Sequence, residues 1–239
     1  MPPAASPKPV LARLLADLGS AVHRGRGRGD GSSEAPAPCP TGLPELDRLL
    51  GGGLPRGRLC EITGPPSSGR TALMLALLAT ATAEGACAGV VDPADAFDPP
   101  SARLAGVDLG RVLWVRATAW REALRCSERL LETEGFRVVV LDVASGSAGR
   151  PPSPGRTPST WLRLARRAAA SRSALVVLSR EPLTGASAEV RLDLEPAQPQ
   201  WSEGPALLEQ LEGRAVLVRR RAAPGGGGVS LRLAAPSAA

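Results

Sequence analysis

LCEITGPPSSGRTALMLALLATATAE, Leu59 to Glu84, reads as a buried strand, a glycine-rich turn and a helix, in that order. Leu59–Thr63 is a short apolar run, and Thr71–Glu84 is built largely from good helix formers. The connection, Gly64, Pro65, Pro66, Ser67, Ser68, Gly69, Arg70 and Thr71, fits G-x-x-x-x-G-K-[ST] at every specified position except the lysine, which is Arg70. A phosphate needs unshielded backbone N–H groups at close range. Glycines permit that approach, the helix N-terminus adds partial positive charge, and the Thr71 hydroxyl is a ligand for Mg²⁺. All eight residues are therefore candidates for binding a nucleotide, with ATP and Mg²⁺ as the expected cofactors.

The second half of such a site is an acid at the end of a buried strand. RVVVLD, Arg137 to Asp142, supplies it, and the Asp142 carboxylate would face the hydrated Mg²⁺ from the side opposite Thr71. Arg70 changes what the pair is expected to do. Lysine is a compact charge on a slim stem, whereas guanidinium is planar and wider. Binding through backbone amides is expected to survive the exchange, and alignment of a terminal phosphate for in-line attack is expected to suffer.

Outward from this segment, strands are expected at Gly89–Asp92, Val112–Val115, Arg137–Asp142 and Ala174–Ser179, with helices near Ala119–Glu134 and Ser159–Ser171. That alternation predicts a parallel sheet wound by crossover helices. After Ser179 the helices cease. Val190–Leu194, Arg214–Arg221 and Val229–Leu233 alternate as strands and are expected to add antiparallel at the sheet edge. The fold class is α/β, a mostly parallel central sheet flanked by helices, with antiparallel C-terminal edge strands.

Before this core, Val10, Leu11, Leu14, Leu15 and Leu18 recur at helical spacing behind Pro9, so residues 1–22 are expected to carry a short amphipathic helix. Its apolar face packs either on its own domain or on a neighbouring subunit or partner protein. Residues 23–38, almost without apolar content, read as a flexible linker, residues 39–234 as the core and residues 235–239 as a disordered tail.

The chain of 239 residues is long enough for one such domain with short extensions. It carries 29 basic and 23 acidic residues, formally +6, and Lys8 is its only lysine. An arginine-rich surface suits anionic partners such as nucleic acid, while an Ala/Arg/Gly/Pro-heavy composition also follows from biased codon usage; both accounts stay open. Cys39, Cys60, Cys87 and Cys126 form no C-x-x-C pair, and His23 is far from all of them, so no metal cluster is expected. The longest largely apolar stretch, Ala72–Ala83, is too short to cross a bilayer, and the N-terminus lacks an uninterrupted signal-peptide core. A cytoplasmic protein with no membrane association is the expectation.

TGLPELDRLLGGGLPRGRLCEITGPPSSGRTALMLALLA, Thr41 to Ala79, resembles the opening of the RecA recombinase core. VVDPADAFDPPSARLAGVDL (Val90 to Leu109), VVVLD, LVVLSR (Leu175 to Arg180), VRLDL (Val190 to Leu194) and RRRAAP (Arg219 to Pro224) follow in the order of that family. The resemblance covers roughly residues 41–233 and implies a RecA-like P-loop core. The family carries a glutamate near the end of its second core strand that prepares water for attack. Registering Asp92 and Asp98-Pro99 puts Ala94 at that place, with Asp95 beside it as the remaining catalytic candidate. The family's Asn-Gln at the end of the fifth strand is Ser179-Arg180 here, so the γ-phosphate sensor is expected to be missing as well.

The family's DNA-contacting loops correspond to Val143–Pro158 and a short Glu181–Ser187, with Arg150, Arg156 and Arg180 as candidates for phosphate contacts. Neither loop offers an aromatic for base stacking. Arg219, Arg220 and Arg221 match a basic stretch that reaches a neighbour's nucleotide in RecA filaments, which implies an interface in a homo-oligomer or on a filament end. No counterpart of the RecA C-terminal domain is expected. This combination resembles the ImuA family, RecA-like accessory proteins of the damage-induced mutasome. The resemblance implies a DNA-repair role in SOS-induced translesion synthesis and mutagenesis, with RecA, an ImuB-like protein and an error-prone polymerase as partners, and weak or no ATPase activity. The alternatives are an active short RecA-type DNA-dependent ATPase and a SulA-like cell-division inhibitor; retention of GPPSSGRT with Asp142 argues against the last.

Overall fold

A computed structural model describes residues 36–133, 135–144, 158–204, 207–221 and 226–234. They belong to one compact unit, Ala35–Ala239; the amphipathic helix expected within residues 1–22, most of the expected linker and the tail over 235–239 lie outside the described residues. The strands are β1 (Leu59–Thr63), β2 (Cys87–Asp92), β3 (Val112–Arg116), β4 (Phe136–Asp142), β5 (Ala174–Ser179), β6 (Val190–Leu194), β7 (Gln198–Trp201), β8 (Leu208–Arg220) and β9 (Gly228–Ala234). The helices are α1 (Pro44–Leu49), α2 (Arg70–Ala83), α3 (Pro99–Leu104), α4 (Trp120–Glu132) and α5 (Pro158–Ser171).

One sheet holds all the strands in the order β3-β2-β4-β5-β1-β6-β8-β7, with β9 on β8. From β3 to β6 every pair is parallel. β1, β2, β4 and β5 are buried on both faces, which explains their near-continuous apolar sequences. Cys60, Ile62, Val90, Val140, Val176 and Leu178 share a core with Leu73, Met74, Leu77 and Leu78 of α2. The intervening strand residues point to the opposite face, as the two-residue period demands. There α4 contacts β4 and β2, and α5 contacts β1 and β5. Gly89 lets α4 approach closely, since a Cβ there would lie 2.8 Å from Leu130 Cδ1. Trp120 and Trp161 meet edge to face at 6.0 Å between α4 and α5. Arg163 and Arg167 reach across the same helix pair to Glu128 at 3.0 and 3.6 Å, and Arg167 also pairs with Glu132 at 3.0 Å. Part of the arginine content therefore serves packing.

The C-terminal strands depart from expectation in three respects. Val190–Leu194 runs parallel to β1, so the antiparallel addition begins one strand later, at β8. β8 starts at Leu208 and is 13 residues long, because its first half pairs with β7 and its second with β6 while β9 lines its other side. β7 was not expected at all: Gln-Pro-Gln-Trp is exposed along its length and has no apolar alternation. Cys39, where the core was expected to begin, is buried and bridges Leu54 through two backbone hydrogen bonds of 2.7 and 2.8 Å.

Candidate nucleotide site

Parallel pairing brings the C-terminal ends of β1, β4 and β5 to one end of the sheet, with Thr63 opposite Ser179 and Asp142 opposite Leu178. The phosphate loop leaves β1 at Gly64 and enters α2 at Arg70. Gly69, left-handed at φ +87°, is the N-cap, and no side chain caps the helix, so its first N–H groups remain as donors for a ligand. A Cβ at Gly69 would stand 2.4 Å from Leu233 Cδ1 of β9, so only glycine fits that turn. Ser68 N–H bonds to the Pro65 carbonyl at 3.3 Å, and the Ser67 carbonyl accepts from Ala197 N–H at 3.2 Å. Pro65, Pro66, Ser67 and Thr71 are exposed. The Ser68 hydroxyl is buried with no hydrogen-bond partner, and a Cβ at Gly64 would come within 2.6 Å of it. An orphaned buried hydroxyl inside a loop of uncapped amides is what a phosphate cradle offers its ligand. The residues fit a phosphate group.

The wall facing the loop is a side-chain network. Arg70 Nη1 donates to the Ser179 carbonyl at 2.7 Å, and Arg180 Nε donates to the Ala144 carbonyl at 2.9 Å. Asp142, 7% exposed, accepts from Ala144 N–H through Oδ1 at 2.9 Å. Partial burial lowers the proton affinity of the Arg70 guanidinium, the Asp142 carboxylate raises it, and Arg180 lowers it, so all three groups sense one another. The sequence paired Asp142 with Thr71 through Mg²⁺; the structure places a fixed cation, Arg70, within the field of the same carboxylate. The Ser179 hydroxyl is buried without a partner beside this network.

Asp92 closes the end of β2. Its carboxylate accepts from Ala94 N–H at 3.1 Å, Phe97 N–H at 2.8 Å and Trp114 Nε1 at 3.3 Å, and so holds the turn that carries Ala94. Asp95 sits on that turn at φ +54° and forms an exposed ion pair of 3.7 Å with Arg116, which itself lies 5.0 Å over the Trp114 ring. Its partner thus belongs to β3, at the sheet edge away from the loop.

Glu61 was missed by sequence reading. This carboxylate in the middle of β1 is 1% exposed; Oε1 accepts from Leu183 N–H at 2.6 Å and Thr184 N–H at 2.9 Å, while Oε2 and the Thr184 hydroxyl have no partner. It pins the segment after β5 to the strand that precedes the phosphate loop. One acid in an otherwise uncharged five-residue strand was the available signal.

Of the remaining candidates, Arg219 donates to the Gly185 carbonyl at 2.8 Å, and Arg221 bonds to the Ala186 carbonyl. The Arg220 guanidinium lies over Gly51. Two of the three arginines are thus engaged within their own chain. Leu11, Leu14, Leu15, Leu18, Arg150 and Arg156 lie outside the described residues. Among the described residues no cluster of three or more His, Cys, Asp or Glu is placed to hold a metal, no helix is long and apolar enough to cross a membrane, and all four cysteines are free. Burial pushes the Cys39 thiol up to about 11, and Cys60, Cys87 and Cys126 are likewise raised by burial.

A strand, a glycine loop and a helix N-terminus facing an acid on a neighbouring strand define the phosphate-binding α/β class. Comparison with known proteins narrows it. The RecA N-terminal domain model matches residues 27–152, more than half of the chain, and the protein belongs to that family. It is 47% identical over 103 residues to Protein RecA of Chlorobium limicola, a stretch covering 43% of this chain and 29% of that protein. Protein RecA of Rhodopirellula baltica is 40% identical over 103 residues, 43% of this chain and 28% of that protein. The match therefore spans under a third of the curated relatives' length. Among solved structures, the crystal structure of the RadB recombinase superposes with a TM-score of 0.64 at 23% identity, covering 81% of this chain and 95% of that one, and shares the fold.

Proposed function

We propose that this RecA-family protein is a DNA-repair accessory factor of the ImuA type. It acts in damage-induced translesion synthesis by binding RecA and the polymerase subunits of a mutasome, with ATP and Mg²⁺ as ligands of an altered site rather than fuel. The observation that carries the reading is the asymmetry around the phosphate loop. The loop keeps its uncapped amides and Gly69 turn, while Ala94 stands in the place of the family's water-activating glutamate and Arg70 is bonded to the Ser179 carbonyl. Without a carboxylate to orient water, and with the loop cation committed to a strand end, hydrolysis loses both its base and its charge stabilisation.

The test has two arms. Steady-state ATPase assays with and without single-stranded DNA are expected to show no stimulated turnover; DNA-stimulated hydrolysis would establish the active recombination ATPase instead. Capture of purified RecA and of a Y-family-like polymerase homologue by the full chain is expected, and is expected to weaken when residues 1–22 are deleted. Failure to capture either protein removes the accessory reading.

A further inference from the structure

We infer that the site prefers a nucleoside diphosphate to a triphosphate, with the Arg70 guanidinium standing in the interval that a third phosphoryl group would have to enter. The inference rests on the reading of Gly64–Thr71 as a phosphate cradle and names the ligand that cradle takes. Two phosphoryl groups are served by the loop itself, through the uncapped N–H groups of α2 and the buried Ser68 hydroxyl. A third must extend beyond the loop toward the ends of β4 and β5. Arg70 crosses that interval: it starts on the first residue of α2 and ends on the Ser179 carbonyl at 2.7 Å.

Displacing Arg70 has a specific consequence. Ser179 is 1% exposed, so its carbonyl would lose a charge-assisted donor where water cannot replace it. The opposing effect is attraction between guanidinium and the extra phosphate charge. That attraction is available to the diphosphate as well, because Arg70 rises from the loop itself and acts on a bound phosphate while still hydrogen-bonded to the Ser179 carbonyl. The difference between the two ligands is the bond that only the triphosphate must break.

The experiment is calorimetric titration of the full-length chain with ADP and with ATP in Mg²⁺, repeated on Arg70→Lys. The wild type is expected to bind ADP about tenfold more tightly than ATP, equivalent to about 1.4 kcal/mol. Arg70→Lys is expected to close the gap to within about threefold, because lysine reaches phosphate from a slimmer stem. Equal or tighter ATP binding by the wild type overturns the inference, and so does an unchanged ratio in Arg70→Lys if that variant folds. Absence of binding by either nucleotide overturns it too while leaving the accessory role standing. DNA-stimulated ATP hydrolysis removes the accessory role whatever the ratio.

Discussion

The phosphate loop and the strand ends that face it are built from different material. The loop works through main chain: a left-handed Gly69, uncapped amides at α2, and side chains at Pro65, Pro66 and Ser67 that point to solvent. The facing wall works through side chains, with Arg70 and Arg180 on carbonyls, Asp142 on Ala144 and Asp92 on three donors. Main-chain geometry persists through substitution as long as the glycines remain. A side-chain wall is rewired by single exchanges. On the function proposed above, a phosphate cradle is kept while the groups around it, Ala94, Ser179-Arg180 and Arg70, change.

The sharpest way to break the contrast is on the wall. Asp92→Ala removes the acceptor for Ala94 N–H, Phe97 N–H and Trp114 Nε1 at a position 1% exposed. It is expected to cost about 3 kcal/mol in urea unfolding, with a change in tryptophan fluorescence. An unchanged midpoint would show that the wall is not held by this carboxylate. On the loop side, Gly69→Ala must both hold a positive φ and displace Leu233, and about 2 kcal/mol is expected to be lost. A loss below about 0.5 kcal/mol would mean the backbone is not constrained there.

The smallest effect concerns Asp98, the N-cap of α3, whose carboxylate is held below its ordinary range by hydrogen bonds from Ser101. A depressed folded value means that the stabilisation is present above the unfolded carboxyl range and is lost as pH falls through the folded value. The melting-temperature difference between wild type and Asp98→Asn is therefore expected to be small at pH 7 and to shrink as pH falls below the unfolded carboxyl range. A constant difference across that range would exclude the cap charge as its source.

The legible parts of the molecule were those whose residues answer to a single neighbour environment. β4 and β5 are buried on both faces, so VVVL and ALVVL declare themselves as strands. The phosphate loop and Asp142 were equally plain, because the chemistry restricts both residue type and spacing. β7 gave no signal: Pro199 and three polar or exposed neighbours become a strand only because β8 pairs with them. The direction of β6 was hidden for a different reason. Alternation in VRLDL reports half-burial, whereas the parallel sense comes from β1 beside it. Glu61 was obscured since its two donors come from Leu183 and Thr184, over 120 residues away. The sequence also suggested that Asp142 waits for a metal; the nearby arginine becomes visible only when α2 and β5 are set side by side.

β8 is, among the described residues, the one strand hydrogen-bonded to three others. During synthesis, β6 leaves the ribosome before residues 208–220 do, and can add to β1 without them. Its outer row of N–H and C=O groups then stays open to any extended chain nearby until β8 arrives. Nascent chains halted between β6 and β8 should therefore be the form most prone to clump and most in need of a chaperone.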